Sequence, residues 1–356
     1  MRLAMVGYGY WGPNMAKTMV ELLGAERVTI CETNSTRQAA ATAALPGVRF
    51  ANRLDDVLKD KAIEAVALCT PAIAHAKQVE QCLRAGKHVL VEKPLAMSSR
   101  VAAQLAALAR TQRRVLMVGH VFLFDPAVQR LRELVQQGKL GQMRYAYVQR
   151  TGLGPRARED VNVLWDYLIH DIVIFREICQ AGPLEARATT GTYLRPPIAD
   201  LVFAEFKFPN GFLLHCQTSW YDPFKVRRTV IVGSKQMALY DVANSDPLIL
   251  YPRGFRPHPG RDRHGNDGIE LFEGEGKPVM LSKTPPLVLE CREFLSACRQ
   301  RRQPRWSSAE DAIAVLEIVE ALETSLRKGG RWIRITHHAG KRRLATAPHA
   351  LAESVG

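Results

Sequence analysis

The chain has 356 residues, which is too many for one ordinary hydrophobic core and predicts two domains. Hydrophobic residues make up 47% and charged residues 24%, as in globular proteins, and no apolar run approaches the ~20 residues of a membrane span. The net charge of +14 favours anionic partners, but the basic residues are too dispersed along the chain to predict a nucleic-acid-binding stripe.

The first predicted elements are a strand over Arg2–Val6 and a helix over residues 13–23. Between them lies the G-x-G-x-x-G string Gly7-Tyr8-Gly9-Tyr10-Trp11-Gly12, in the strand–turn–helix setting that dinucleotide binding requires. Gly7 permits the tight turn, Gly9 lets the backbone approach a pyrophosphate, and Gly12 lets the helix pack on the strand. The N–H groups of the helix N-terminus complete the predicted phosphate site.

The second predicted strand, residues 27–31, is followed directly by Glu32, about 20 residues beyond Gly12 of the glycine string. An acidic side chain at this spacing accepts hydrogen bonds from the adenosine ribose hydroxyls and repels a 2′-phosphate. The predicted cofactor is therefore NAD. NADP is the less favoured alternative, because Arg37 lies close enough to receive a 2′-phosphate.

Strands and helices then alternate, which predicts a parallel sheet. The predicted strands are residues 65–69, 87–91 and 115–118, and the predicted helices are residues 75–85 and 98–110. Thr70-Pro71 ends one strand and His75 opens the next helix, at positions that can line a dinucleotide site. Glu92-Lys93-Pro94 ends the next strand. Because open sheets bind ligands at the carboxyl ends of their strands, Glu92 and Lys93 are candidate site residues.

After residue 120 the strict alternation ends, and the predicted second domain, residues 121–335, is α+β. A long strand is predicted at residues 143–150, and between residues 184 and 241 strands follow one another through short turns, which predicts a large, open and mostly antiparallel sheet. Residues 252–283 are predicted to form a long polar loop. Two closing helices, residues 287–299 and 309–327, are expected to pack back toward the first domain. Residues 336–356 are predicted to be a disordered basic tail.

Asp166 and His170 lie four residues apart in a predicted helix, so both side chains would project from one face. Three interpretations are open: a structural pair, half of a metal site, or a general base with a carboxylate beside it. No third ligand has recognisable spacing, so no metal is predicted. The seven cysteines are odd in number and lack CxxC spacing, which favours reduced thiols and a cytoplasmic protein.

Four motifs in this order resemble the Gfo/Idh/MocA oxidoreductases, over about residues 1–335. They are the run from Val6 to Asn14, Thr70-Pro71 with His75, Glu92-Lys93-Pro94, and the D-x-x-x-H spacing of Asp166 and His170. The resemblance implies a Rossmann domain followed by a domain with an open sheet, which often forms a homodimer or homotetramer contact. It also implies hydride transfer from a sugar or cyclitol hydroxyl to NAD(P).

Within the family, Trp11-Gly12-Pro13-Asn14 and the segment 154–171 are similar to the nucleotide-sugar branch, the UDP-N-acetylglucosamine and UDP-N-acetylglucosaminuronate 3-dehydrogenases of amino-sugar biosynthesis. Ala72 departs from the family pattern, in which asparagine is frequent. The branch implies oxidation of the 3-hydroxyl of a nucleotide-linked hexose. A cyclitol or free-sugar dehydrogenase, or a non-catalytic sensor of NAD or sugar, is the alternative.

The resemblance also implies roles for individual residues. His170 would take the hydroxyl proton, Asp166 would orient the imidazole or stabilise its charged form, and Lys93 would stabilise the developing alkoxide. Glu92 would contact the nicotinamide ribose or help to position Lys93. The other expected contacts are, to the cofactor, Tyr10 and Trp11, and, to the substrate, Arg150, Arg156, Arg158, Asn162 and Trp165. The arginines are candidates for the diphosphate because a guanidinium matches phosphate oxygens, with Lys225 and Arg227 as a second candidate group.

Overall fold

The computed structural model describes residues 1–153, 161–261 and 267–336. Two large sheets and a small one account for its strands. None of the helices in the described ranges combines the length and the apolar character that crossing a membrane requires. Apart from residue 336, the predicted tail lies outside the described residues.

The first sheet has six strands, all parallel. They are β1 (Arg2–Val6), β2 (Val28–Cys31), β3 (Arg49–Ala51), β4 (Ile63–Leu68), β5 (His88–Glu92) and β6 (Leu116–Gly119). The helices that connect them are α1 (Gly12–Leu23), α2 (Ser35–Ala44), α3 (Leu54–Lys59), α4 (Ala72–Arg84) and α5 (Ser99–Thr111). The strand order β3-β2-β1-β4-β5-β6 is that of a doubly wound Rossmann sheet, which confirms the predicted fold of this part.

Helices cover both faces of this sheet, so its central strands are apolar throughout. Val89, Leu90 and Val91 in β5 are fully buried. Residues 35–59, for which the sequence predicts no element, form α2, β3 and α3. The signal is weak there because α2 buries a single side chain, Ala41, and β3 is only three residues long.

The second sheet has nine strands and is mixed, with the order β16-β13-β12-β11-β7-β10-β9-β8-β17. Its strands are β7 (Met143–Thr151), β8 (Glu185–Gly191), β9 (Leu201–Lys207), β10 (Leu213–Ser219), β11 (Val226–Gly233), β12 (Met237–Asp241), β13 (Leu248–Tyr251), β16 (Lys277–Pro278) and β17 (Ile333–Arg334). Its pairings are antiparallel apart from that of β7 with β10. The predicted open, mostly antiparallel sheet is therefore confirmed.

The helices of the second half are α6 (Pro126–Gln136), α7 (Ile169–Cys179), α8 (Pro286–Gln300) and α9 (Ala309–Arg327). α9 packs on β8 and also on α5, and α8 packs on α1. Just before α9, the hydroxyl of Ser307 donates a hydrogen bond to the Val118 carbonyl of β6, 2.5 Å away. Helix α9 thus contacts β6 of the first sheet and β8 of the second, and Asp166, just before α7, meets Lys93 at the end of β5.

The prediction of a long loop over residues 252–283 is wrong. There, β14 (Gly254–Arg261) and β15 (Asp267–Phe272) pair as an antiparallel ribbon, and β16 joins the second sheet. The ribbon alternates exposed apolar residues with charged ones, and Arg256 donates to Glu270 across it at 2.8 Å. Its glycines and prolines, which usually indicate a loop, mask this two-residue period in the sequence.

Candidate active site

The glycine-rich turn at the carboxyl end of β1 has the close packing that a dinucleotide cradle needs. Gly7 has φ of +92°, and a Cβ there would lie 2.8 Å from the Cys69 carbonyl oxygen. A Cβ on Gly12 would collide with the Gly7 carbonyl, whereas one on Gly9 would meet no atom within 4 Å. The open side of Gly9 faces the space that a pyrophosphate would take, and the indole N–H of Trp11 beside it is buried without a partner among the described residues. The turn therefore fits a dinucleotide.

Glu32 is held at the end of β2 by backbone donors. Its carboxylate is only 6% exposed and accepts from the N–H groups of Tyr8 (2.7 Å), Thr33 (2.8 Å) and Asn34 (3.0 Å). Arg37 approaches the same carboxylate at 3.7 Å. Burial raises the pKa of Glu32, but these backbone donors and Arg37 outweigh burial, so the pKa is lowered and the group is ionised. A fixed anion here fits ribose hydroxyls better than a 2′-phosphate.

The end of β4 adjoins the glycine turn. Thr70 donates its hydroxyl to Gln78 at 2.5 Å, and Pro71 is exposed at the start of α4. His75 is 1% exposed, and its ring nitrogens lie 2.7 Å from the Pro94 carbonyl and 2.8 Å from the Thr70 carbonyl. His75 therefore ties the ends of β4 and β5 together, which is a supporting role for the cofactor site rather than an exposed contact. Tyr10, by contrast, is 88% exposed at the tip of the glycine turn.

Lys93 and Asp166 meet where the two sheets come together. The Lys93 ammonium donates to the backbone carbonyl of Asp166 at 2.7 Å and to its carboxylate at 3.2 Å. The indole N–H of Trp220, at the end of β10, donates to the other carboxylate oxygen at 3.2 Å. Asp166 thus holds Lys93, a contact that the sequence does not predict; the role predicted for Asp166 is to orient the imidazole of His170 or to stabilise its charged form.

The helical segment that carries Asp166 is wound more widely than an α-helix. Leu164–Leu168 is a π-helical turn, and α7 begins directly after it. Single π turns of this kind occur frequently at functional sites. The turn changes the angle between positions 166 and 170, so the same-face argument for an ideal α-helix does not apply to this pair.

His170 lies next to this pair, and its ring edge packs on Phe122 with centroids 4.9 Å apart. Burial, followed by the positive charges of Lys93 and Arg150, lowers the pKa of His170 well below its usual 6.5. The imidazole is therefore neutral at physiological pH, which is the state a proton acceptor needs. Its Nδ1 is buried without a hydrogen-bond partner among the described residues, which leaves Nε2 for a ligand.

Arg150 does not have the role predicted for it. Its guanidinium is 5% exposed and donates three hydrogen bonds of 2.6 to 3.0 Å to the buried carboxylate of Asp171. It also stacks over Phe122 at 4.7 Å. The alternation of β7 places Arg150 on the covered face of the sheet, with Ala146 and Val148, so it cannot hold a diphosphate.

Two further substrate predictions are also local structural contacts. The Asn162 side chain accepts from the backbone N–H of Trp165 at 3.2 Å and so caps the following helical turn. The Trp165 indole is 4% exposed and donates to Glu323 of α9 at 2.8 Å. Arg156 and Arg158, the remaining diphosphate candidates, lie outside the described residues. Arg227 is placed nearby, over the Tyr167 ring at 4.7 Å.

Sequence reasoning missed three groups at this site. Trp220 holds Asp166, His120 lies directly after β6 next to Lys93, and Glu290 of α8 is a fully buried carboxyl near Glu92. His120 had one available signal: like Lys93, it follows immediately after a strand of the parallel sheet. Trp220 and Glu290 had none, because only tertiary packing brings β10 and α8 here. Within the described ranges, no group of three His, Cys, Asp or Glu residues could hold a metal ion.

Comparison with known proteins agrees with this geometry. Residues 1–120 match the model of an oxidoreductase family with an NAD-binding Rossmann fold, and residues 128–239 match that of the GFO/IDH/MocA C-terminal domain. The chain is 27% identical over 302 residues to a UDP-N-acetylglucosamine 3-dehydrogenase of Acidithiobacillus ferrooxidans, covering 85% of this chain and 90% of that one. A solved structure of this dehydrogenase from the same organism superimposes with a TM-score of 0.76 at 25% identity, over 92% of this chain and 98% of the other.

Two other relatives act on different compounds. A 4-carboxy-2-hydroxymuconate-6-semialdehyde dehydrogenase of a Sphingobium species is 27% identical over 349 residues, which is 93% of this chain and all of that one. An inositol 2-dehydrogenase of Rhodococcus erythropolis is 30% identical over 199 residues, 55% of this chain and 56% of the relative. The relatives thus share dehydrogenase chemistry but differ in substrate.

Proposed function

This chain belongs to the Gfo/Idh/MocA family of NAD-binding oxidoreductases, and from that premise we propose that it oxidises the 3-hydroxyl of a nucleotide-linked hexose. The substrate would be UDP-N-acetylglucosamine or its uronate, and the product a 3-keto sugar. The observation that carries the proposal is the meeting of the Lys93 ammonium with Asp166, beside the neutral imidazole of His170. The UDP-N-acetylglucosamine 3-dehydrogenase relative, which matches over most of both chains, supports the choice of sugar.

The proposed residues divide the chemistry between them. Nε2 of His170 would take the proton of the hydroxyl, because this imidazole is neutral. Lys93 would donate a hydrogen bond to the same oxygen and stabilise the negative charge that develops there. Asp166 and Trp220 would hold the ammonium in place. When bound, NAD supplies the acceptor for the hydride that leaves the carbon.

The chain's glycine turn and Glu32 would hold the cofactor's pyrophosphate and adenosine ribose. Glu92 lies over Gly119, at the end of the strand next to β5, where a Cβ on the glycine would be 2.9 Å from the carboxylate. This carboxylate accepts a hydrogen bond from the backbone N–H of Lys93 at 3.3 Å. Glu92 would therefore help to set the direction in which Lys93 leaves the strand, and it lies at the edge where ligands bind in such sheets.

A cyclitol or free-sugar dehydrogenase is the second candidate, since the chemistry proposed for Lys93 and His170 requires an oxidisable hydroxyl and does not require a nucleotide. The inositol 2-dehydrogenase relative supports it over about half of the chain. A non-catalytic NAD or sugar sensor is less favoured, because such a protein has no need for a neutral base beside an ammonium.

A substrate screen tests the proposal. The full chain is incubated with NAD and with UDP-sugars, their uronates, free sugars or inositols, and the absorbance of reduced nicotinamide is followed. We expect reduction with UDP-N-acetylglucosamine or its uronate at far lower concentrations than with the free sugars. Turnover of inositols or free sugars alone would favour the second candidate. Reduction by no member of the panel, with NAD still bound, would contradict both enzymatic candidates.

A further inference from the structure

Arg227 of β11 carries a positive charge that the structure leaves without a compensating carboxylate. β11 pairs with β7 so that Arg227 lies directly opposite Arg150, which puts both side chains on the same face of the sheet. Like charges placed opposite each other destabilise a sheet. Arg150 is compensated by Asp171, which accepts its three hydrogen bonds. No described Asp or Glu oxygen lies within 4 Å of the Arg227 guanidinium, so its charge calls for an explanation.

The contacts of Arg227 fix one side of its guanidinium. Nη1 donates to the Thr151 and Val226 carbonyls, at 2.6 and 2.7 Å, whereas Nε and Nη2 have no carbonyl or carboxylate acceptor among the described residues. The guanidinium also lies over Tyr167, an uncharged residue, 4.7 Å from the ring centre. Burial and then the charge of Arg150 lower the pKa of Arg227, so these surroundings disfavour its charge. A guanidinium held in this way suits a carboxylate or a phosphate, which it can bind through two parallel hydrogen bonds.

The same guanidinium borders the candidate active site. Tyr167, on which it lies, directly follows Asp166, the residue that holds Lys93. Burial lowers the pKa of His170, and Arg227 is one of the positive groups that lower it further, so its charge acts on the proposed base. Lys93, Asp166, Tyr167 and Arg227 are all partly exposed, as residues that line a ligand site are.

The proposed substrates carry anions at the distance this arrangement requires. The diphosphate of a nucleotide-linked hexose is attached at C1, and the carboxylate of a uronate is C6. Both therefore lie across one sugar ring from C3, the carbon whose hydroxyl would meet Lys93 and His170. Either anion offers the paired oxygens that a guanidinium binds.

We propose that Arg227 binds the anionic group of the substrate, through paired hydrogen bonds from its guanidinium to a carboxylate or a phosphate. It thereby makes the site selective for a charged sugar, while Lys93 and His170 act on the hydroxyl. The inference rests on the proposed function and adds to it the residue that selects the charge of the substrate.

Equilibrium binding tests the inference without turnover. The full chain is loaded with NADH, which cannot accept a hydride, and is titrated calorimetrically with UDP, UDP-N-acetylglucosamine and its uronate. We expect Arg227→Gln to weaken binding about 10-fold to 100-fold, the usual loss for a hydrogen bond to a charged group. Arg227→Lys keeps the charge but loses the paired donors, so its affinity should fall between those of the wild type and Arg227→Gln. The NADH dissociation constant should stay unchanged in both variants.

The three ligands identify the anion that Arg227 binds. An equal loss of affinity for UDP and for both UDP-sugars assigns Arg227 to the diphosphate. A loss confined to the uronate assigns Arg227 to the C6 carboxylate. Unchanged binding of all three ligands to Arg227→Gln, or a wild type that binds none of them, would overturn the inference.

Arg228→Gln is the matched control. Arg228 is the next residue of β11, so its side chain points to the opposite face of the sheet, where it pairs with Asp241 at 2.8 Å. The variant removes the same charge from the same strand and should leave ligand binding unchanged. An equal loss in Arg228→Gln and Arg227→Gln would indicate an effect of net charge and would overturn a direct contact.

Kinetics separate this inference from the proposed function. Where UDP-sugars are oxidised, Arg227→Gln should raise KM about 10-fold to 100-fold for each substrate whose binding it weakens, and should change kcat far less. Turnover of UDP-sugars with wild-type KM values in this variant would overturn the inference and leave the proposed function standing. Turnover of free sugars or inositols alone would overturn the proposed function, and weaker binding of UDP by Arg227→Gln would still support the anion site.

Discussion

At the residue scale, Asp166 decides what Lys93 can contribute. A lysine ammonium has three N–H donors, and Asp166 receives two hydrogen bonds from it, one through its backbone and one through its side chain. Such a hold fixes the position of the charge before substrate arrives, which is the condition for electrostatic stabilisation of an oxyanion. His170, whose pKa is lowered, would supply the proton acceptor that an ammonium cannot.

Replacement of either group should therefore remove turnover without removing cofactor binding. We expect Lys93→Met and His170→Ala each to lower kcat by at least about 10²-fold, because general-base and electrostatic contributions are each of that order. NAD titration followed by fluorescence serves as the control, since neither residue belongs to the glycine turn. Wild-type turnover in either variant would remove that residue from the mechanism.

The pH profile gives a separate reading of His170. Burial, Lys93 and Arg150 lower its pKa, so the base form persists into acidic solution, and protonation should reduce kcat/KM only well below pH 6.5. The measurement is kcat/KM against pH with a saturating concentration of NAD. An acidic limb centred at or above 6.5 that persists in all buffers would contradict a buried, neutral base.

Glu290 offers a residue-scale test of stability. It is 0% exposed, its two oxygens lack hydrogen-bond partners among the described residues, and burial followed by the charge of Glu92 raises its pKa well above 4.5. Its folded form stays protonated while the unfolded chain ionises. The stability it contributes is therefore complete below the unfolded pKa and is lost as pH rises toward the folded pKa.

Glu290→Gln should therefore match the wild type near pH 4.5 and become more stable than it at pH 8, by about 1–3 kcal/mol. Thermal unfolding across this pH range measures the difference. Glu293→Gln, one turn along α8, is the matched control with the opposite sign. Although burial raises the pKa of Glu293, hydrogen bonds from Arg302 and Arg305 lower it overall, so this variant should lose stability at neutral pH.

At the element scale, the junction of β7 and α7 contains a buried ion pair beside the candidate site. Arg150 and Asp171 are joined by three hydrogen bonds and both are nearly inaccessible to solvent. The pair fixes α7 against the strand and places a positive charge near His170, which helps to keep the imidazole neutral. The pair therefore acts on the position and charge state of His170, the proposed base.

Breaking this pair should be costly and should be partly reversible by removing both charges. Asp171→Leu or Arg150→Met leaves one buried charge unpaired and should lower the free energy of unfolding by about 3–5 kcal/mol. The double variant Arg150→Met/Asp171→Leu should recover a substantial part of that loss. Urea unfolding measures all three, and an additive double variant would contradict a coupled pair.

At the scale of the whole molecule, α9 connects the two sheets. It lies against β8 on one side and α5 on the other, and the Glu320 carboxylate accepts from the N–H and hydroxyl of Ser99 at the start of α5, both at 2.7 Å. A carboxylate at a helix N-terminus is stabilised by the free N–H groups and by the helix dipole. This contact secures the last helix to the first sheet, so both halves of the site keep their spacing.

Glu320→Ala should accordingly destabilise the protein by about 1–2 kcal/mol, the usual cost of losing a cap that also carries a charge. Glu310→Ala is the matched control on the same helix, since its pair with Arg110 is largely exposed and should contribute less than about 1 kcal/mol. Differential scanning calorimetry compares them. An equal effect of the two variants would show that Glu320 has no special role in joining the sheets.

The sequence by itself determined the features that depend on local spacing. The glycine turn, Glu32 and Lys93 each come directly after a predicted strand. They can be found from the sequence because ligands bind at the carboxyl ends of the strands in an open parallel sheet. The ribbon of β14 and β15 was not predicted because its glycines and prolines obscure the two-residue alternation of apolar and polar residues that indicates a strand. The assignment of Arg150 to a diphosphate failed because a one-dimensional pattern does not say which face of a strand is covered.

Only the tertiary structure decided which groups face each other. Asp166 contacts Lys93 and Trp220, and Trp165 contacts Glu323 of α9, although these partners are far apart in the chain. Such pairings depend on how one sheet packs on another, and the packing is set by the summed burial of many side chains. The chemical groups of the site can therefore be identified from the sequence. Which group contacts which, and hence the role of each, depends on the tertiary structure.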